Sequence, residues 1–330
     1  MATEPVGPSL ASAPPLTAEG RQRLMRGMEG RPKRLGRDTL TAYLFLTPYL
    51  FVLFVFLIFA SIYGLGLSLF KVDIGFTAPE FVGLQNYQRL FDQLFTDPSL
   101  SLFWISMVNI IKFVIGVVLS QTILALILAL ILQATILGRG VFRTIFYIPA
   151  VTSSVATALI FLWFYNPDGL INYLLSLVHI SGPDWLNEPL FALPALMLLN
   201  VWTTAASFMI YFMAALQDLP RELLEASSVD GANRFQTFRY ITVPLLRPTI
   251  FLVVALGTIG CFQMFDQAKF MTNGGPLNST LTPMLEIYNA AFNDAHFGLA
   301  AAMSVLLFII IFIVTIIQRR LIEPSTSSAQ

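Results

Sequence analysis

Residues 104–132 read WISMVNIIKFVIGVVLSQTILALILALIL, a run in which Lys112 is the single charged side chain. The hydrocarbon core of a bilayer is about 30 Å thick, and an α-helix needs roughly 20 predominantly apolar residues to cross it. Within that core every backbone amide and carbonyl must find a partner in the protein, and a helix provides these partners itself. This stretch therefore predicts a transmembrane helix.

Five further stretches of the 330-residue chain have the same character. Of all residues, 56% are hydrophobic and 12% are charged, whereas about a quarter are charged in soluble domains. The composition and the apolar runs together predict an all-α, polytopic membrane protein with about six transmembrane helices. The predicted spans are residues 42–69, 104–132, 144–165, 190–216, 249–272 and 297–317, with boundaries accurate to a few residues.

The distribution of Lys and Arg predicts the orientation of the chain. Seven of these residues lie in 1–39 and four in 217–248, whereas 70–103 holds two and both 166–189 and 273–296 hold none. Loops that stay in the cytoplasm carry an excess of Lys and Arg. We therefore expect both termini and residues 217–248 on the cytoplasmic side of the cell membrane.

The same features define the predicted domain plan. Residues 1–39 are rich in Pro, Gly and Arg and lack an apolar run, so they are predicted to be a disordered, basic cytoplasmic arm and not a signal peptide. Residues 40–320 form the transmembrane domain, which the cytoplasmic loop 217–248 interrupts. Residues 321–330 form a short tail.

Other residue types argue against several classes of function. Cys261 is the only cysteine, so no disulfide forms within the chain. The chain has two histidines, His179 and His296, and we expect neither a metal site nor a bound cofactor. The formal net charge is zero, and we expect no nucleic-acid partner.

The loop 217–248 has the features of two short helices at the membrane surface. Its charged residues would each cost roughly 2.5–3.5 kcal/mol at the centre of a bilayer, so it does not cross. Asp218 and Pro220 suit the start of a first helix, and Leu223 belongs to its predicted apolar face. Gly231 would end this helix with a left-handed turn, and Asn233 would cap a second one.

Within this loop, residues 225–232 read EASSVDGA and residues 241–244 read ITVP. The pattern resembles the EAA motif of bacterial ATP-binding-cassette import permeases, which is Glu-Ala-Ala, three residues, Gly, nine residues and then Ile-x-Leu-Pro. Ser227 stands where the motif has Ala, and Val243 where it has Leu. The matching residues are Glu225, Ala226, Gly231, Ile241 and Pro244.

Three further phrases extend the resemblance over roughly residues 40–320. Residues 81–87, FVGLQNY, resemble a phrase in the first external loop of carbohydrate-type permeases. Residues 272–276, TNGGP, which follow Asp266, resemble the Thr-x-Gly-Gly-Pro loop of the same proteins, and residues 143–149 resemble the start of their third span. The resemblance is to the carbohydrate-uptake branch of the family, which includes maltose and glycerol-3-phosphate permeases, and it implies the type I importer permease fold.

This resemblance implies a function and a set of partners. The chain would be the permease subunit of an importer for a mono- or oligosaccharide in a bacterial cytoplasmic membrane; the alternative cargo is glycerol-3-phosphate or another polyol. It would work with a second, similar permease, two cytoplasmic ATP-binding subunits and an external solute-binding protein. The chain is not itself expected to be an enzyme, because it lacks the Gly-x-x-x-x-Gly-Lys-Ser/Thr segment that cradles phosphates. ATP and Mg²⁺ would be used by the partner ATPase.

The resemblance also assigns a role to the EAA loop. In these importers its short helix, the coupling helix, seats in a cleft of the ATPase. The residues that would couple this chain to the ATPase are Glu225, Ala226, Ser227, Asp230, Gly231 and Ala232.

Polar side chains within the predicted spans are candidates for the substrate pathway, because they are costly in a bilayer. A sugar needs hydrogen-bonding groups and an aromatic surface, and the candidates offer both. Packing between helices is the alternative for the Ser and Thr residues of the fourth span, and pairing with each other is an alternative for Lys112 and Asp266. The candidates are Asn109, Lys112, Asn200, Trp202, Tyr211, Gln263 and Asp266.

Two other classes of protein compete with an ATP-driven permease. A secondary transporter would favour paired intramembrane carboxylates and a detectable repeat, and Asp266 is the one clear carboxylate within the predicted spans. A membrane-embedded enzyme would need a catalytic Ser/His, Asp/Asp or metal constellation within the spans, and no such constellation is visible in the sequence. The residues therefore favour the permease.

Overall fold

The structure is a computed structural model that describes residues 35–72, 79–96, 101–133 and 138–322. Most of the predicted arm and tail therefore lie outside the described residues. The prediction of an all-α, polytopic membrane protein is confirmed. The helices are α1 (Leu35–Val52), α2 (Ala60–Leu67), α3 (Gln85–Thr96), α4 (Leu102–Gln133), α5 (Arg139–Val151), α6 (Ser154–Phe164), α7 (Leu170–Leu177), α8 (Pro189–Gln217), α9 (Arg221–Val229), α10 (Arg234–Thr237), α11 (Val243–Leu245), α12 (Arg247–Phe262), α13 (Pro283–Tyr288) and α14 (Phe297–Ile322).

Four stretches of helix in the described part of the chain are long and apolar enough to cross a membrane, and two bent helix pairs raise the number to six. Leu40–Leu67 is the first, in which the π-helical segment Leu53–Phe59 joins α1 to α2. The long helices α4, α8 and α14 are the others. All four begin within two residues of the predicted spans.

The third predicted span, 144–165, is not one straight helix. It consists of α5 and α6, which meet at an angle of 98°. Pro149 lies inside α5, where it lacks the amide that would continue the backbone ladder, and Thr152 has an extended conformation (φ −79°, ψ 140°). The expectation of a single helix is wrong here because Pro149 and the polar residues 152–154 interrupt the apolar run.

The fifth predicted span, 249–272, is also broken. Helix α12 ends at Phe262, the chain is not helical over residues 264–265, and a π-helical turn spans Ala268–Thr272. The hydroxyl of Thr282, from a later segment, donates to the buried carbonyl of Met264 at 2.9 Å. At its other end α12 is bent by 65° from Arg234–Leu245. The expectation of one continuous helix is therefore wrong at this position too.

The core of the bundle is built around the pair α4 and α8, which has the most extensive contact of any two elements. Small buried residues such as Ala125, Ala129 and Ala205 lie between these helices, and small side chains let membrane helices approach closely. Helix α12 packs on α4 and α14. These contacts hold the two broken spans against the long helices.

Two short strands and a helix follow the first span, and they show what the side chains of residues 81–87 do. Strands β1 (Phe70–Lys71) and β2 (Glu80–Phe81) are antiparallel, with Phe70 opposite Phe81. Helix α3 follows, and its Asn86 amide donates to the carbonyls of Ser68 and Phe70 at 2.9 and 3.1 Å. The side chains of this phrase therefore fix the chain that links the first and second spans.

Candidate substrate pathway and coupling surface

The two broken spans meet at a hydrogen bond between Ser154 and Asp266. Ser154 begins α6, immediately after the break in the third span, and its hydroxyl donates to the carboxylate of Asp266, which lies just beyond the break in the fifth span. The amino end of a helix carries a partial positive charge that stabilises a nearby carboxylate. This arrangement accounts for an acidic side chain at a position that the sequence places within the membrane.

Trp202 lies against the same half-helix. Its ring is 5.3 Å from that of Phe161, centroid to centroid, and 46% of its surface is exposed. Phe161 and Ser154 are seven residues apart on α6, so they lie on one helical face, roughly two turns from each other. One face of α6 therefore contacts the Asp266 carboxylate at its amino end and the half-exposed Trp202 indole about two turns further along.

Lys112 and Asp266 do not pair. Lys112 is exposed on α4, and no ion pair joins it to Asp266 in the part of the chain that the structure describes. The hypothesis that these two charges offset each other is wrong, because Ser154 and the end of α6 are the neighbours of the carboxylate.

Asn109 forms hydrogen bonds with the loop that follows the fifth span. It is buried in α4, and its amide nitrogen donates to the carbonyls of Asn278 and Leu281 at 2.7 and 3.2 Å. In the same loop the hydroxyl of Thr280 donates to the carbonyl of Gly275 at 2.7 Å. Asn109 and Lys112 thus differ in environment, and Asn109 anchors a loop rather than facing an open pathway.

The polar stripe of α8 is mostly packed inside the bundle. Asn200 is buried, and its backbone carbonyl accepts from the hydroxyls of Thr203 and Thr204 at 3.0 and 2.6 Å. The Thr204 hydroxyl also lies 2.5 Å from Oε1 of Gln121 on α4. Gln121 is fully buried and was not among the sequence candidates, although a polar amide in the middle of an apolar run is a signal that could have found it.

Tyr211 and Gln263 face other parts of the surface. Tyr211 is nine residues from Trp202 on α8, so the two rings lie on opposite faces, about 180° apart. Gln263 is exposed and lines a 460 Å³ crevice between α12 and α14, beside Ser304 and Phe308. The structure therefore brings Trp202 and Asp266 to one half-helix, and it does not bring Tyr211 to them.

No group of three or more His, Cys, Asp and Glu side chains in the described residues is placed to hold a metal ion. One carboxyl group that sequence reasoning missed is Glu286 in α13, outside the spans. It is buried, and its pKa is raised above the ordinary value by burial and, to a smaller degree, by Asp294. It accordingly favours its neutral form more than an exposed glutamate does.

The EAA loop folds as two short helices, as expected. Gly231 has a φ of 80°, the left-handed conformation that ends α9. Asn233 and Gln236 form a reciprocal capping box at the start of α10. The expected cap from Asp218 is absent: residue 220 is the N-cap of α9, and no side chain caps that end.

Ser227 lies inside this loop. It is 6% exposed, and its hydroxyl donates to the carbonyl of Leu224 at 2.8 Å and lies 3.1 Å from the hydroxyl of Thr237. Because Thr237 belongs to α10, this contact joins the two helices. In this structure Ser227 therefore shapes the loop and is not available to a partner, unlike the exposed Glu225 of the same helix.

The outer surface of the loop combines acidic and apolar side chains. The apolar face is not the predicted one, because Leu223 is exposed whereas Leu224 and Ser227 turn inward. Large apolar side chains on the outside of a small surface loop indicate a contact with another protein. The exposed residues are Leu223, Glu225, Ala226, Val229, Asp230, Gly231, Phe235 and Tyr240, and Ala232 is partly exposed.

The described part of the chain has up to six candidate membrane crossings, two broken spans and an exposed helical loop, an arrangement that suits a membrane-transport subunit. Residues 121–327 match the family model described as the binding-protein-dependent transport system inner membrane component. The chain belongs to this family, and the predicted relationship to carbohydrate-uptake permeases of ATP-binding-cassette importers is confirmed. It is a multi-pass protein of the bacterial cytoplasmic membrane.

Individual relatives cover nearly the same length. The chain is 35% identical to the probable ABC transporter permease protein YesP of Bacillus subtilis over 87% of this chain and 92% of that protein. It is 34% identical to the trehalose/maltose transport system permease protein MalF of Thermococcus litoralis, over 85% and 93%. A crystal structure of a bacterial ABC transporter involved in the import of the acidic polysaccharide alginate contains a chain with the same fold (TM-score 0.74, 22% identity, 89% and 99% covered).

Proposed function

We propose that this permease carries a sugar, and that Trp202 and Asp266 contact it on the way. The observation that carries the proposal is that both side chains contact one face of the half-helix α6, Trp202 through Phe161 and Asp266 through Ser154. An indole ring stacks on the apolar face of a sugar ring, and a carboxylate accepts hydrogen bonds from its hydroxyls. The relative named for trehalose and maltose transport supports the same class of substrate.

Broken helices suit such a site. Discontinuous spans in transporters leave backbone groups and helix ends free to contact a substrate near the middle of the bilayer. Here the ends of two broken spans converge at Ser154 and Asp266. A sugar hydroxyl that competes for the Asp266 carboxylate would loosen the contact between the two spans, which couples binding to their movement.

The transport cycle needs partners that supply energy and deliver the substrate. We propose that a second, similar permease completes the pathway, that two cytoplasmic ATP-binding subunits hydrolyse ATP with Mg²⁺, and that an external solute-binding protein delivers the sugar. The exposed face of α9, with Glu225 and Leu223 at its surface, would seat in a cleft of one ATP-binding subunit. Closure of the ATPase pair would then rotate the spans as rigid bodies.

The substitution Trp202→Ala tests the substrate pathway. The complete transporter is reconstituted in vesicles, and sugar uptake is measured against sugar concentration. A lost aromatic contact of about 0.5–1.5 kcal/mol would raise the half-saturating concentration about 2- to 10-fold, while ATP hydrolysis without substrate stays unchanged. Trp163→Ala is the control, because Trp163 is 83% exposed on the same half-helix and no ring pair joins it to Trp202 in the described part of the chain.

Two outcomes would contradict the proposal. An unchanged half-saturating concentration in Trp202→Ala would remove this face of α6 from the pathway. Stimulation of ATP hydrolysis by glycerol-3-phosphate with its binding protein, and by no sugar, would replace the sugar with the alternative substrate.

A further inference from the structure

On the predicted external side of the protein, a recess is lined by basic side chains. The recess has a volume of about 440 Å³ and lies between β1, α3 and the start of α14. Lys71 and Arg89 line it, and they are the only Lys and Arg residues in the three segments predicted to be external. His296 adds an imidazole to the same lining. In loops otherwise depleted of positive charge, this convergence indicates a site for an anion.

The walls of this outer recess are held in place by the backbone. The amide of Phe297 donates to the carbonyl of Val72 at 3.1 Å, which ties α14 to the chain after β1. At Gly298 a β-carbon would lie 1.9 Å from the carbonyl oxygen of Phe70, so α14 and β1 approach as closely as glycine permits. Asn86 ties α3 to the same segment. The recess is thus preformed.

Arg89 is the side chain best placed to bind a ligand. It is exposed, and no hydrogen bond or ion pair engages its guanidinium within the described part of the chain. The neighbouring acidic groups are Glu80, opposite Lys71 in the strand pair, Asp92, three residues along α3, and Asp294, near His296. Glu80 opposes the charge of Lys71, and Asp92 lies on the neighbouring turn of α3 but forms no ion pair with Arg89 in the described part of the chain, so Arg89 is the main attraction for an anion. Its fork of N–H groups matches the oxygens of a phosphate.

The position of the recess relative to the membrane, and the exposed apolar side chains near it, indicate which anion it binds. Lys71 follows the first span by four residues and His296 immediately precedes the last, which places the recess where the chain leaves the hydrocarbon core. Leu84, which immediately precedes α3, and Phe95 within α3 are exposed, and neither lines the recess. A short helix with large apolar side chains on one face and a basic group on another lies in the interface of a bilayer.

We propose that the outer recess binds the phosphate of an outer-leaflet phospholipid through Arg89, with His296 and Lys71 at its sides, while the apolar face of α3 rests on the acyl chains. A protein partner would also meet the charge of Arg89. It would not account as well for a recess at headgroup depth beside the exposed side chains of Leu84 and Phe95.

The test uses the assembled transporter in detergent and a phosphatidylglycerol that carries a photoreactive group. Crosslinking to the peptide that contains α3 is measured against lipid concentration. Arg89→Gln is expected to weaken binding about tenfold, and Arg89→Lys, which keeps the charge, much less. Phe95→Ser is expected to weaken it as well, since the acyl chains lose a contact. Arg143→Gln is the control, because it removes the same charge from the predicted cytoplasmic side.

Three results would overturn the proposal. Equal crosslinking in wild type and Arg89→Gln would show that the recess does not hold the lipid. Displacement of the lipid by millimolar inorganic phosphate, with no effect of Phe95→Ser, would identify a site for soluble anions. Weaker binding of the solute-binding protein to Arg89→Gln, with unchanged crosslinking, would identify a docking site for that protein.

Discussion

At the scale of single residues, Gly257 shows how little space separates the central helices. A β-carbon at this position would lie 2.0 Å from Nε2 of Gln121, which is fully buried and whose Oε1 is 2.5 Å from Thr204. Because Gln121 cannot move into solvent, the added methyl group must displace it or spread the helices. Overpacking of this kind costs about 1–3 kcal/mol.

We therefore expect Gly257→Ala to lower the melting temperature of the purified complex, measured by intrinsic fluorescence. Gly260→Ala is the matched control, since nothing lies within 4 Å of the β-carbon it would add, and it shares the gain in helix propensity. Adding Gln121→Ala to Gly257→Ala should recover part of the loss. Equal melting temperatures for the two glycine variants would contradict this account of the packing.

Two residues whose role is local, Gly231 and Asn233, could be predicted from the sequence, although the Asp218 cap in the same loop could not, and residues whose role depends on distant partners could not. Gly231 and Asn233 act within their own loop, and both have the expected conformations. Gln121 acts through Thr204, 83 residues away, and Asn109 through a loop more than 160 residues away. Nothing in the spacing of nearby residues reveals such partners. The substrate contacts proposed for Trp202 and Asp266 remain predictions.

At the scale of elements, the bond between Ser154 and Asp266 connects two broken spans. Asp266→Asn removes the negative charge at the amino end of α6 and should reduce uptake several-fold. Because Lys112 is not its partner, the double variant with Lys112→Met should be no better than Asp266→Asn alone. Sugar uptake is measured in vesicles that contain each variant. Higher uptake in the double variant than in Asp266→Asn alone would support a charge pair between Lys112 and Asp266.

The left-handed glycine of the EAA loop provides a second test at this scale. Replacing Gly231 with a leucine would cost roughly 1–2 kcal/mol of backbone strain and alter the angle between α9 and α10. The protein should still reach the membrane, while uptake is lost and ATP hydrolysis no longer responds to substrate. Gly138→Leu is the control, since Gly138 has the same φ of 80° in a different loop.

Normal uptake by Gly231→Leu would argue against a coupling role for the loop. Loss of uptake in both variants would trace the effect to strain alone.

The existence of the spans could be predicted from hydrophobic length, but hydrophobic length alone does not reveal their breaks. Thr152 and Gln263 are polar, but hydrophobicity averaged over the length of a span stays high across both positions, so the average indicates one span where the backbone changes direction. Pro149 was a visible signal for the first break. The second is stabilised by Thr282, which bonds to the carbonyl of Met264 from a later segment. Its cause therefore lies outside the span.

At the scale of the whole molecule, the predicted orientation can be tested with its own cysteine. Cys261 is 2% exposed and should react little with a membrane-impermeant maleimide. Asn187→Cys should be labelled in intact cells, because its loop is predicted to be external. Asp230→Cys should be labelled only after the membrane is permeabilised. Labelling of residue 230 from outside would reverse the whole topology, not a single boundary.

The two helix breaks have a consequence for the life of the chain in a cell. Non-helical backbone at bilayer depth is tolerated where protein or water covers it, and lipid cannot supply the missing hydrogen bonds. If the proposed second permease covers these breaks, a copy without it would turn Thr152 and Asp266 towards lipid. Such an orphan would be a substrate for membrane quality-control proteases, so the steady-state amount of this subunit would follow the synthesis of its companion and not its own rate of translation.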